Sequence, residues 1–132
     1  MAEMGARVLV VDDDDSIRRL VSAILRRQRY ETDEARDGRE AIGKLQTQTY
    51  AAVFLDLMMP VCGGDEVIAF LQEHAPDQKR VIVMTAAGSR HTSALNGSVV
   101  HQVLQKPFDV QAVIESAAQV TGDEREAAAE PV

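Results

Sequence analysis

The sequence predicts an α/β fold: a doubly wound parallel sheet of five strands with helices on both faces. Short apolar runs alternate with segments whose apolar residues recur every three or four positions, as strands alternate with helices in βαβ units. Two of the apolar runs, at 8–11 and 53–55, lead directly into aspartates. With 132 residues, 45% of them hydrophobic and 27% charged, the chain suits one globular domain with a single core.

The predicted elements follow one another without internal repeats. Strands are expected at 8–11, 30–35, 51–55, 81–84 and 102–105. Helices are expected at 16–28, 40–48, 66–74 and 109–120, with a further short or poorly ordered one within 87–99. The second strand is half polar, so it should lie at an edge of the sheet. We expect one domain at 1–121, followed by an acidic, disordered tail at 122–132 that is poor in apolar residues.

Two helices have clear apolar faces. In the first, five apolar residues fall at i, i+3, i+4, i+7 and i+8: Ile17, Leu20, Val21, Ile24 and Leu25. Its arginines, which include Arg18 and Arg19, are interpreted as a solvated face. The last helix is expected to pack through four residues: Val110, Val113, Ile114 and Ala117.

Charge and cysteine content narrow the possible classes of function. The formal net charge is −7 and there is no basic arm, which argues against direct nucleic-acid binding. No apolar run approaches the roughly 20 residues that a membrane-spanning helix needs. Cys62 is the sole cysteine, so no internal disulfide can form. We therefore expect a reducing compartment, the cytoplasm.

Polar residues end four of the predicted strands. Asp12 and Asp13 follow the first, Asp56 the third, Thr85 the fourth and Lys106 the fifth. In a doubly wound sheet, ligands bind beyond the carboxyl ends of the strands, so these residues should converge on one rim. Carboxylates crowded at one place resist desolvation unless a cation lies among them. The pattern therefore predicts an acidic pocket that holds a cation.

The same residues carry a resemblance to a known family. The matching segments are Val10-Val11-Asp12-Asp13, Asp56-Leu57-Met58-Met59-Pro60 with Gly64, Thr85-Ala86, and Lys106-Pro107-Phe108. The chain resembles, over roughly residues 7–120, a chemotaxis-type receiver domain of a two-component response regulator. Any one segment is weak evidence, whereas the ordered set is specific. The resemblance implies a flavodoxin-like sheet with strand order 2-1-3-4-5.

The resemblance also implies roles for the residues on the rim. Asp56 is expected to accept a phosphoryl group from a phosphohistidine and become an aspartyl phosphate. Mg²⁺ is the expected cofactor, ligated by Asp13, Asp56 and the backbone carbonyl of Met58, with Asp12 acting largely through a bound water. Lys106 is expected to pair with a phosphoryl oxygen.

Further positions have expected roles in switching and in shaping the site. The Thr85 hydroxyl and the Ala86 N–H are expected to donate to phosphoryl oxygens. Pro60, Gly64 and Pro107 are expected to shape the site, Pro107 through a cis peptide bond and Gly64 through a backbone arrangement that a Cβ would forbid.

The neighbouring aspartates have simpler interpretations. Asp15 is interpreted as the N-cap of the first helix and Asp14 as a solvated charge. Cys62 is interpreted as an inert small residue, although its place near Asp56 leaves some thiol reactivity open.

Three positions bear on switching and on loss of the phosphoryl group. Val103 occupies the place where many receivers have an aromatic residue, so we expect phosphorylation to change order mainly within 87–99. Met58 and Ala87 lie where the family tunes loss of phosphate. Neither side chain can orient water through a hydrogen bond, which predicts slow self-dephosphorylation.

The leading hypothesis is a phospho-acceptor switch in a two-component or phosphorelay pathway, with catalysis limited to its own phosphorylation and dephosphorylation. Its expected partners are a sensor histidine kinase or phosphotransfer protein and a downstream protein. One alternative is a phosphorylation-independent interaction module on the same fold, and another is the receiver portion of a longer hybrid kinase. A conventional hydrolase lacks support because no general base or substrate-binding glycine-rich loop accompanies the acids.

Overall fold

Nine elements lie within the residues that the computed structural model describes, which are 6–59, 62–86 and 99–122. The strands are β1 (Arg7–Val11), β2 (Glu31–Ala35), β3 (Ala52–Asp56), β4 (Val81–Ala86) and β5 (Val100–Lys106). The helices are α1 (Asp15–Arg27), α2 (Gly38–Thr47), α3 (Gly64–His74) and α4 (Val110–Thr121). Each of these agrees with a predicted element to within two residues at either end. The helix expected within 87–99, and with it the expected change of order there, falls outside the described residues apart from Val99.

The five strands form one parallel sheet in the order β2-β1-β3-β4-β5. The predicted fold class and strand order are therefore confirmed. The chain runs from β1 outward to β2, then returns to the other side of β1 to form β3, which places the reversal of strand order between β1 and β3. The half-polar β2 lies at an edge, as expected, and four of its five residues are partly exposed.

Alternate residues of the central strands face two separate apolar layers. Leu9 and Leu55 point into the cluster that holds the apolar faces of α2 and α3. Val10 and Phe54 point into the cluster that holds α1 and α4. These four side chains are completely buried. Removing a large apolar side chain from water stabilises the fold by about 1.5–3 kcal/mol. The centre of the sheet is therefore packed against apolar side chains on both faces.

Two residues assigned to apolar helix faces are exposed. Leu20 is 54% exposed although it belongs to the apolar face of α1. Val110 is 52% exposed, so the prediction that α4 packs through it is wrong. Val21, Leu25 and Val113 on these faces are fully buried, whereas Ile17 and Ile114 are partly buried. Leu20 and Val110 line a shallow groove where α1 and α4 lie side by side. Each helix therefore buries a stripe narrower than its apolar pattern.

The N-terminus of α1 also differs from the prediction. Asp14 is the N-cap: its Oδ1 accepts the backbone N–H groups of Ser16 at 2.9 Å and Ile17 at 3.2 Å. Asp15 is the first helical residue, and its carboxylate pairs with Arg18. The assignment of the cap to Asp15 was wrong because the helix begins one residue earlier than predicted. The capping carboxylate must lie two to three residues before the N–H groups that it satisfies.

Candidate functional site

Three carboxylates meet at the carboxyl edge of the sheet. In the pairing of β1 with β3, Val11 lies opposite Leu55, so Asp12 and Asp56 leave neighbouring strands at the same level. Asp13 follows Asp12, and one carboxylate oxygen from each of the three aspartates lies within 4.8 Å of the others. Asp12 is fully buried, Asp56 is 4% exposed and Asp13 is exposed. The structure thus brings together the acidic residues that the sequence placed on one rim.

Asp12 is held by hydrogen bonds at both its backbone and its carboxylate. Its N–H donates to the Ala35 carbonyl oxygen at 3.1 Å, which ties the end of β1 to the end of β2. Its Oδ1 accepts the Asp14 N–H at 2.9 Å, and its Oδ2 accepts the Lys106 ammonium at 3.1 Å. A buried carboxylate needs such donors to stay ionised.

The negative charge of Asp56 is balanced by longer contacts than that of Asp12. Its Oδ1 accepts the Met58 N–H at 3.3 Å and lies 3.7 Å from Lys106 Nζ. Burial, followed by the charge of Asp12 and more weakly that of Asp13, raises the pKa of Asp56 to about 7, although Lys106 and the Met58 N–H act in the opposite direction. The Asp56 carboxylate is therefore costly to ionise in this pocket until more positive charge is supplied.

The donor set fits a hard divalent cation. Among the described residues, one ammonium group, that of Lys106, lies within 4 Å of two of the three carboxylates, so it cannot balance the charge of all three when they are ionised. Carboxylate oxygens are the ligands that Mg²⁺ prefers in proteins. Burial and the charge of Asp12 both raise the pKa of Asp56, and a cation among these carboxylates would oppose both effects.

The ends of β4 and β5 add polar groups beside the acids. Asp56 pairs with Met84, so Thr85 lies one residue further along the neighbouring strand. The Thr85 hydroxyl is fully buried and has no hydrogen-bond partner in the described part of the chain. Such an orphaned hydroxyl is unfavourable unless a ligand satisfies it. Ala86, the exposed last residue of β4, pairs with Lys106 in the register of β4 and β5 and so lies beside the lysine.

The loop after Asp56 comes very close to the start of α3. The Gly64 N–H donates to the Leu57 carbonyl oxygen at 3.0 Å. A Cβ at Gly64 would lie 2.7 Å from the Asp56 carbonyl oxygen and 2.8 Å from Leu57 Cα, too close for any other residue. Close approach, and not a left-handed backbone conformation, is therefore what requires glycine here.

The other residues with predicted roles lie around the pocket or outside the described part of the chain. The Lys106–Pro107 peptide bond is cis, as the resemblance implied. Met58 is 62% exposed at the edge of the pocket, and Val103 is partly buried against the layer that holds α2 and α3. Pro60 and Ala87 lie outside the described residues.

Cys62 is buried, and its thiol donates to Glu66 Oε1 at 3.0 Å. The hydrogen bond to the Glu66 carboxylate, together with burial, raises the pKa of the Cys62 thiol to about 11. At neutral pH the group is therefore a thiol and not the nucleophilic thiolate. This favours the inert interpretation of Cys62.

Sequence reasoning missed Arg18, which is 5% exposed and not part of a solvated face. Its guanidinium reaches Asp12, Asp15 and Glu34. Burial lowers the pKa of Arg18, but its hydrogen bonds to Glu34 and Asp15 more than offset this and raise the pKa above the usual value. Helical spacing could have found it, because Arg18 precedes the buried Val21 by three residues and Leu25 by seven.

The fold and the acidic pocket together define a class of signalling domain, and comparison with known proteins names it. Residues 8–118 match the family model of the response regulator receiver domain. The chain belongs to this family, whose members act in two-component signalling, bind Mg²⁺ at an acidic pocket and interact with histidine kinases or phosphotransfer proteins. It is a signalling module and not a member of an enzyme family.

Individual relatives agree with this assignment. The transcriptional regulatory protein SrrA of Staphylococcus aureus is 37% identical over 113 residues, which are 84% of this chain and 46% of SrrA. The chain thus spans about half the length of the curated relatives that it matches.

Solved structures show the same fold. One is the response regulator TrrA of Thermotoga maritima in complex with Mg(2+)-BeF, at 31% identity and a TM-score of 0.76, covering 87% of this chain and 98% of that one. Another is the receiver domain of the Francisella response regulator 1452, at 26% identity and a TM-score of 0.80, covering 89% and 98%. Among the helices that the described residues form, none is long and apolar enough to cross a membrane.

Proposed function

We propose that this domain accepts a phosphoryl group on Asp56 and switches the binding of a protein partner when it does so. The observation that carries the proposal is the meeting of Asp12, Asp13 and Asp56 at one point, with Lys106 against two of them. An isolated buried acid could be structural. Three acids from two strands, with too little positive charge to balance them, form a site that a divalent cation can occupy. The bound cation would in turn offset the negative charge of an incoming phosphoryl group.

In the proposed reaction, a carboxylate oxygen of Asp56 attacks the phosphorus of a phosphohistidine on a histidine kinase or phosphotransfer protein. The new P–O bond forms as the P–N bond breaks, and the electron pair of that bond stays on the imidazole nitrogen. Asp13, Asp56 and the Met58 carbonyl would hold Mg²⁺ directly, and Asp12 would act largely through a bound water. The ion would supply the positive charge that lets phosphate approach the carboxylates.

Three groups would hold the transferred phosphoryl oxygens: the Lys106 ammonium, the Thr85 hydroxyl and the Ala86 N–H. The orphaned, buried Thr85 hydroxyl supports this role, because a phosphoryl oxygen would supply the missing acceptor. Lys106 already lies between Asp12 and Asp56, so it would meet a group attached to Asp56 with little movement.

Several assignments belong to the same proposal. The receiver domain would comprise 1–121, with 122–132 as a disordered tail. Pro60, Gly64 and Pro107 would shape the pocket, and Met58 and Ala87 would tune loss of phosphate. SrrA is a transcriptional regulatory protein about twice as long as the matched region, so an output function would come from residues or partners beyond this domain.

The test is incubation with Mg²⁺ and a small phosphodonor, followed by intact-mass measurement. We expect wild type to gain the mass of one phosphoryl group and Asp56→Asn to gain none. Asp65→Asn, which changes an exposed acid in the first turn of α3, is the matched control and should be modified like wild type. Modification of Asp56→Asn, or none of wild type, would contradict the proposal.

A further inference from the structure

The buried guanidinium of Arg18 contacts the backbone of the metal-site turn. Its Nη1 donates to the Asp12 carbonyl oxygen at 3.0 Å, a contact that is itself buried. Its Nε donates to Glu34 Oε1 at 2.9 Å, and its Nη2 lies 2.7 Å from Asp15 Oδ1. Three different nitrogens are thus used on three partners, so the orientation of the guanidinium plane is determined.

These contacts close a ring between β1, α1 and β2. The Asp12 N–H donates to the carbonyl oxygen of Ala35, the residue that follows Glu34 in β2. The Asp12 carbonyl accepts from Arg18, which is held in turn by Glu34. Both backbone polar groups of Asp12 are therefore tied to the end of β2, one directly and one through Arg18.

The bonded carbonyl belongs to the peptide unit that joins Asp12 to Asp13. Holding that oxygen restrains the plane of the peptide unit, and with it the positions of the Asp13 N and Cα atoms from which the side chain leaves the backbone. Asp13 is exposed, so core packing does not determine its orientation. The contact from Arg18 is thus a means of setting where the third carboxylate lies relative to Asp12 and Asp56.

We infer that Arg18 is a positioning residue for the cation site: it presets the Asp12–Asp13 turn so that the carboxylates are arranged before Mg²⁺ binds. This inference rests on the proposed function, because it assumes that the acidic pocket holds Mg²⁺. Groups that orient metal ligands from outside the coordination shell typically change metal affinity by 10–100-fold when they are lost. Lysine cannot replace arginine here, because an ammonium is a point charge without the planar fork that reaches three partners.

The test compares Arg18→Lys with wild type by calorimetric titration with Mg²⁺ alone. We expect the Kd for Mg²⁺ to rise about tenfold. Glu34→Gln weakens the hold on Arg18 but leaves the Asp12 contact possible, so a smaller rise, about threefold, is expected. In phosphorylation assays the Mg²⁺ concentration for half-maximal rate should rise with the Kd, while the rate at saturating Mg²⁺ stays within about twofold of wild type.

Two controls separate positioning from general stability. Arg19→Lys makes the same change at the next, exposed residue and should leave the Kd unchanged. Ile24→Val removes a methylene from the buried face of α1, so it should lower stability and also leave the Kd unchanged. Wild-type affinity in Arg18→Lys overturns the inference alone. Failure of wild type to bind Mg²⁺ overturns the proposed function, and the inference with it.

Discussion

The ammonium group of Lys106 lies 3.1 Å from Oδ2 of Asp12, so the end of the fifth strand is joined to the end of the first. These strands are separated in the sheet by β3 and β4, and the two residues are 94 positions apart in the chain. Asp12 is fully buried and the Lys106 side chain is 20% exposed. The pair therefore closes the pocket across the sheet and leaves the ammonium able to meet a group on Asp56.

Replacing Lys106 with methionine should destabilise the protein in EDTA, because Asp12 would then be a buried charge without its main partner. We expect the free energy of unfolding to fall by about 2 kcal/mol, less than for a fully buried pair because Lys106 is partly exposed. Urea denaturation measures this. Lys79→Met, at an exposed position, is the control. Equal losses in the two variants would show that the Asp12 contact contributes little.

The pH dependence of stability should reveal the environment of Asp56. Its pKa is raised in the folded state to about 7 from an ordinary value of 3.8, so ionisation destabilises the fold. The favourable contribution of the protonated Asp56 carboxyl to stability is fully present below about pH 3.8 and is lost as the pH rises through about 7. In EDTA at pH 8, Asp56→Asn should therefore be more stable than wild type by about 2 kcal/mol. At pH 5 the difference should shrink.

Urea denaturation at both pH values measures this difference. Saturating Mg²⁺ at pH 8 should make wild type the more stable protein. The ion binds the Asp56 carboxylate of wild type more tightly than the amide of the variant, and so it stabilises wild type more. A difference between the proteins that does not change with pH would contradict the assigned environment of Asp56.

A methyl group at Gly64 should distort the loop that carries Asp56. Gly64→Ala places a Cβ against backbone atoms of Asp56 and Leu57, which cannot move aside as a flexible side chain would. We expect a loss of about 1–3 kcal/mol in the free energy of unfolding, together with weaker Mg²⁺ binding. Gly43→Ala is the matched control: nothing lies within 4 Å of its Cβ, and alanine should stabilise α2 by about 0.5–1 kcal/mol. Equal effects at the two glycines would refute this account.

The role of Asp14 as a helix cap can be separated from metal binding. Asp14→Ala removes the acceptor for two N–H groups at the start of α1 and should cost about 1 kcal/mol in thermal or urea unfolding. Its Kd for Mg²⁺ should match that of wild type, because the Asp14 N–H that supports Asp12 belongs to the backbone and is retained. Asp14→Asn, which keeps a capping oxygen, should retain most of the stability. A large loss of Mg²⁺ affinity in Asp14→Ala would instead make Asp14 part of the metal site.

Loss of the phosphoryl group should depend on the side chain of Met58. The thioether is 62% exposed beside Asp56 and is too weak an acceptor to orient an attacking water. Met58→Asn supplies an amide that can do so, and the phosphorylated form should decay several-fold faster when followed by intact mass. Val110→Asn makes a similar change at an exposed apolar residue on α4 and should not alter the decay. Unchanged decay in Met58→Asn would remove Met58 from the tuning positions.

The alternation of buried strands and amphipathic helices was sufficient to predict the class of fold. The spacing of apolar residues that buries one face of a helix differs from the spacing that buries a strand, so each segment could be assigned to one kind of element. The convergence of Asp12, Asp13, Asp56, Thr85 and Lys106 also followed from sequence, since the carboxyl ends of parallel strands meet at one edge. The order of the strands came from family resemblance and not from the apolar periods, which say nothing about lateral neighbours.

Tertiary contacts decided the rest. Asp14 and Asp15 are chemically identical, and only the observed start of α1 shows which one caps the helix. Leu20 is exposed because the sheet and α4 cover a narrower stripe of α1 than its apolar pattern occupies. Arg18 is buried because Glu34 on β2 and the Asp12 carbonyl on β1 lie within its reach. The sequence by itself determined which elements form in the described part of the chain and where the carboxylates cluster. Which side chains complete the pocket depended on partners that are distant in the chain and adjacent only after folding.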